Sequence, residues 1–177
     1  TAGHIRQVQK LYENQSGRKI SLPYGVEALR CYEGVKLQKK TEEVSERTEE
    51  VQELNMEGTT SWVNESFRTR IFPYSGEKIL EKKYTKWFDC DKINCELTVR
   101  TRRSGDYMAV SQSGGHKKLT RCMIDDKIPG EIRQEIPLVA AKDEILWIVG
   151  GRISERYKIT SQTEKVLEIT YQGGNLE

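Results

Sequence analysis

Arg100-x-Arg102-Arg103-Ser104-Gly105-Asp106 puts three guanidiniums at a strand end beside a tight turn, and Gly114-Gly115-His116-Lys117-Lys118-Leu119-Thr120-Arg121 follows with a glycine turn and three more cations. A guanidinium stays charged at any relevant pH, and its planar fork grips phosphate through two hydrogen bonds, so these segments suit a surface that binds a nucleic-acid backbone. With Lys127 and Arg133 included, the window from Arg100 to Arg133 carries eight Lys and Arg against four acids, Asp106, Asp125, Asp126 and Glu131. The whole chain, with 29 basic and 27 acidic residues, carries only +2. Local charge, not total charge, steers a polyanion to one face. For the arginines alone, a solvated strand face is the plain alternative.

Other chemistry has less behind it. Ser113-Gly114-Gly115 would let backbone amides approach a phosphate, but the Gly-Lys-Ser/Thr of a Walker loop is absent. No G-x-S-x-G elbow marks a nucleophilic serine. Asp125-Asp126 and Asp143-Glu144 are sequence neighbours, which on a strand point to opposite faces and cannot share a proton. Cys31, Cys90, Cys95 and Cys122 contain no C-x-x-C and, with only His4 and His116 beside them, make a poor zinc set; reduced thiols and no metal are expected. Trp87, Trp147 and Tyr157 could stack on bases, although Trp147 lies inside the apolar run 145–149 and reads as core.

Periodicity predicts the elements that must position these groups. Ile5, Val8, Leu11 and Tyr12 share one helix face, and the helix should stop near Ser16-Gly17. Alternation over Lys19–Leu22, a turn at Pro23-Tyr24-Gly25 and one loosely alternating stretch from Val26 to Leu37 predict a β-hairpin. Residues 41–57 hold seven glutamates and one arginine, the composition of a solvated linker. Strand character resumes over 59–72, with 79–84 as its expected partner. Further strands are predicted at 95–101, 137–140, 144–150, 156–160 and 166–170, and a short helix over 128–134 from Pro129. The predicted class is α+β: a helix and hairpin within 1–40, an acidic linker over 41–57, and a β-rich, sandwich-like domain with short helices over 58–175. No run approaches the roughly 18 apolar residues of a membrane span, and the N-terminus lacks a secretory pattern, so a soluble protein is expected. The start at Thr1 and the closing Leu176-Glu177 suggest an excised piece of a longer protein, with 176–177 a vector-derived scar.

Lys86-Trp87-Phe88-Asp89, the stretch 97–106, Gly115-x-Lys117-Lys118-Leu119, and the stretches 124–129, 136–139 and 144–160 resemble, in that order, the C-terminal domain of bacterial tRNA(Ile)-lysidine synthetases. Gln15-Ser16-Gly17-x-x-Ile20-x-Leu22-Pro23 resembles the end of the same family's central domain. The resemblance implies the tRNA-binding portion of a cytoplasmic, ATP-dependent carbon–nitrogen ligase that modifies tRNA by joining lysine to the wobble cytidine of isoleucine tRNA. The family's S-G-G-x-D-S ATP signature is absent, so the resemblance implies a chain with no cofactor or catalytic activity of its own, ATP and magnesium belonging to the parent enzyme. The implied partners are isoleucine tRNA and the parent's N-terminal catalytic domain; there is no membrane partner, and a homodimer is left open. Arg100, Arg102, Arg103, Lys117 and Lys118 match the family's basic positions and are the expected tRNA contacts, followed by Arg121, Lys127 and Arg133. Ser104 stands where family members commonly carry proline. The alternative is a protein-interaction module that docks the catalytic domain or an acidic partner.

Overall fold

The computed structural model describes residues 2–15, 17–39, 50–79 and 82–173. Most of the expected acidic linker, 41–49, and residues 176–177, expected to be a scar, lie outside the described residues. The chain divides into two compact units, Thr1–Thr48 with Ile128–Gln134, and Glu49–Lys127 with Glu135–Glu177.

In the first unit, α1 (Ala2–Tyr12) precedes an antiparallel sheet of order β1 (Lys19–Leu22), β2 (Val26–Cys31), β3 (Gly34–Lys39). The expected hairpin therefore has a third strand. The stretch read as one strand from Val26 to Leu37 reverses at Tyr32-Glu33 and pairs Cys31 with Gly34. Both arms keep a period of two, so alternation alone cannot reveal a two-residue reversal. Leu11, Ala28 and Leu29 are buried and form the unit's small core.

The second unit is a sandwich. Its elements are β4 (Gln52–Glu53), β5 (Gly58–Trp62), β6 (Glu65–Pro73), β7 (Thr85–Asp89), β8 (Thr98–Arg100), β9 (Tyr107–Ala109), β10 (His116–Lys118), α2 (Leu119–Asp125), β11 (Leu138–Ala141), β12 (Glu144–Ile148) and β13 (Lys165–Gln172). One sheet has the order β10-β9-β12-β11-β8-β4, the other β5-β6-β13-β7. Phe67, Phe88, Leu167 and Ile169 of the smaller sheet share a core with Val99, Val139, Leu146 and Trp147 of the larger. The Phe88 and Trp147 ring centroids are 6.4 Å apart. The β-rich α+β class is as expected, and Trp147 is fully buried, as its apolar neighbours require.

Three expected elements are corrected. β6 pairs with β5 and β13, not with 79–84, whose described residues form no strand; its lysines supply no apolar row to face the core. Residues 155–157 form a 3-10 turn instead of a strand, since three alternating residues satisfy either conformation. Residues 128–134 contain no helix but successive turns, in which the Ile132 N–H donates to the Pro129 carbonyl at 3.3 Å. The helix falls earlier, at α2, where Leu119, Cys122 and Met123 bury an i, i+3, i+4 face.

Candidate nucleic-acid interface

Antiparallel pairing of β9 with β10 brings the two basic segments together. Lys118 stands opposite Tyr107, Lys117 opposite Met108 and His116 opposite Ala109. The Leu119 N–H donates to the Asp106 carbonyl at 2.8 Å, so Lys118 lies alongside the turn that carries Arg102 and Arg103. Gly105 permits that turn by taking a left-handed φ of +95°.

A buried ion pair fixes the turn. Arg100 is only 2% exposed, and its Nη1 and Nη2 donate to the two carboxylate oxygens of Asp106 at 2.9 and 2.7 Å. Nη2 also donates to the Lys142 carbonyl at 2.7 Å and Nη1 to the Thr101 carbonyl at 3.0 Å. Asp106 accepts in addition the Arg103 backbone N–H at 2.7 Å. Arg100, expected among the tRNA contacts, thus has its guanidinium engaged beneath the surface, and withdrawing it to reach a phosphate would strand a buried carboxylate, which typically costs about 3–5 kcal/mol. Its role is to hold the turn.

The other expected residues divide by environment. Arg102 and Arg103 are half-buried on the turn, and Arg102 Nε is a buried donor with no acceptor among the described residues. Lys118 is exposed on the outer side of the ribbon. Lys117 points the other way and donates to Asp125 Oδ2 at 2.7 Å, while Arg121 Nε lies 3.5 Å from Asp125 Oδ1. The hydrogen bond from Lys117, ahead of the nearby positive charges, holds the Asp125 carboxyl below the usual carboxylate range. Lys127 is exposed just after α2. Arg133 belongs to the first unit, where its Nε donates to the Ile128 carbonyl at 2.8 Å. Lys118 thus lies beside the Arg102-Arg103 turn, while Lys117 and Arg121 share Asp125 on the opposite side of the ribbon.

Several neighbours escaped the sequence patterns. Arg152 Nε donates to Asp126 Oδ2 at 2.6 Å beside α2. Arg156 Nη1 donates to Glu144 Oε2 at 3.2 Å, and Glu144 is the β12 residue aligned with Tyr107. Tyr157 donates its hydroxyl to the same Glu144 oxygen at 3.3 Å; burial, then the Glu144 charge, pushes its pKa up to about 12. Buried Tyr157 and Trp147 offer no open ring to a base, and Trp87 is half-buried with Nε1 donating to Glu168 at 2.6 Å. Among the described residues no group of three His, Cys, Asp or Glu side chains is placed to hold a metal, and no helix is long and apolar enough to cross a membrane.

Residues 97–169 match the family described as "TilS substrate C-terminal domain". Over 170 residues, 96% of its length, the chain is 37% identical to the tRNA(Ile)-lysidine synthase of Caldanaerobacter subterraneus subsp. tengcongensis, covering 36% of that protein. It is 32% identical over 183 residues to the protein of the same name from Clostridium perfringens, covering 38% of it. The chain thus spans little more than a third of the length of these relatives. A solved structure, "Crystal structure of TILS C-terminal domain", is similar with a TM-score of 0.58 and 27% sequence identity, over 71% of this chain and 98% of that one.

Proposed function

Because the chain belongs to the tRNA(Ile)-lysidine synthase family and carries its substrate C-terminal domain, we propose that it is the portion of such an enzyme that holds isoleucine tRNA. The observation that carries this reading is the β9–β10 pairing, which sets Lys118 beside the Arg102-Arg103 turn. Cations at that spacing suit contacts to phosphate and sugar. An A-form helix is recognised mostly through its shape, backbone and 2'-hydroxyls, so such contacts orient the RNA without reading base edges. The helix-and-sheet unit is on this reading the end of the family's central tRNA-binding domain. Ligation of lysine to cytidine, with its ATP and magnesium, belongs to the remainder of the cytoplasmic enzyme. The test is a fluorescence titration of isoleucine tRNA at low salt. Joint replacement Arg102→Ala, Arg103→Ala and Lys118→Ala is expected to weaken binding about tenfold or more. An unchanged dissociation constant would remove the proposal.

A further inference from the structure

The β9–β10 ribbon has two unlike sides. Met108 and Lys117 share the packed side, where Met108 is fully buried and Lys117 reaches Asp125 of α2. Tyr107, His116 and Lys118 share the other, because directly paired and alternate residues project together. There the Tyr107 and His116 rings meet edge to face at 5.1 Å, Tyr107 half-buried and His116 exposed in its strand. Burial against the strand fixes Tyr107, and Tyr107 in turn limits the His116 ring. Cations bracket this corner: Lys118 directly across from Tyr107, and Arg156 anchored to Glu144, itself aligned with Tyr107 in the parallel β12–β9 pairing. Glu144 is nearly buried and also bonded to Tyr157, so Arg156, 55% exposed, is presented from a fixed base.

An open aromatic ring beside paired cations suits a base that has left its helix. A duplex keeps its base faces stacked inside and cannot use such a ring, whereas an unpaired base stacks on it whatever its identity. We propose that the Tyr107–His116 corner, flanked by Lys118 and Arg156, is a subsite for one unpaired nucleotide of an RNA, its base stacked on His116 and its phosphate on the two cations. The subsite rests on the reading of the ribbon as an RNA surface and adds a preference that backbone contacts alone do not create.

The experiment compares binding of the full chain to a short RNA duplex, blunt or extended by a single dangling nucleotide that carries 2-aminopurine. The dangling form is expected to bind about fivefold tighter or more, with its fluorescence quenched. His116→Ala should abolish both the preference and the quenching while leaving blunt-duplex affinity unchanged. Equal wild-type affinity for the two duplexes overturns the subsite, as does a His116→Ala loss of equal size on both. If blunt binding responds to the Arg102, Arg103 and Lys118 replacements while His116→Ala is silent, the subsite alone fails. If neither set of replacements matters, the RNA reading of the ribbon fails with it.

Discussion

Arg100 and Arg102 are two residues apart and chemically identical, yet one is sealed beneath the surface and the other sits on the turn. Residue type cannot separate them, because a guanidinium cluster reads the same whether its charge faces water or a carboxylate. A clue was present in Asp106, which closes the same turn six residues on. The Arg100–Asp106 pair is desolvated on both sides, so removing one partner leaves an unpaired buried charge. Arg100→Leu is therefore expected to lower unfolding stability by about 3–5 kcal/mol, with a matching fall in the urea midpoint. A loss within about 0.5 kcal/mol, the range of an ordinary surface substitution, would show that the pair does not hold the turn. His116 illustrates the opposite limit: in the sequence it merely follows a glycine pair, and only the strand register places its ring against Tyr107.

Legibility at the level of elements follows apolar row length. β11, β12 and β13 are buried rows of four to eight residues, and their alternating or continuous apolar pattern announces them. β9 and β10, three residues each, carry the candidate site and leave almost no periodic trace, since three residues cannot define a period. β9 is held in place by tertiary bonds, among them the Tyr107 N–H to the Asp143 carbonyl at 3.1 Å. Turn chemistry was equally hard to foresee at the β5–β6 hairpin, where Trp62 pairs with Glu65 and exposed Val63 takes a φ of +56°. A β-branched residue is strained there, whereas asparagine tolerates the left-handed region. Val63→Asn should raise stability by about 1 kcal/mol, read as a higher urea midpoint at constant slope. A lower midpoint would mean that the valine side chain makes contacts worth more than the strain.

For the molecule as a whole, charge is arranged rather than accumulated: a net +2 coexists with seven glutamates in residues 41–57 and a basic window from Arg100 to Arg133. The structure refines that window, because Asp125 sits between Lys117 and Arg121 and Asp126 engages Arg152. Exposed ion pairs of this kind contribute little to stability, so their partners can be exchanged for a phosphate without much loss. If the ribbon holds RNA as proposed, Asp125 would compete with it for two cations and repel it directly. With Arg102, Arg103 and Lys118 as the phosphate contacts, the slope of log affinity against log salt is expected near −2 to −3. Asp125→Asn releases Lys117 and Arg121, which should tighten binding at low salt and steepen that slope by about one to two further contacts. Non-cognate duplex RNA should gain as much as isoleucine tRNA, because the released cations meet backbone shared by every sequence. Titrations across a salt series measure both quantities, and a variant that bound no more tightly and kept the wild-type slope would show that the carboxylate leaves these cations open to RNA already.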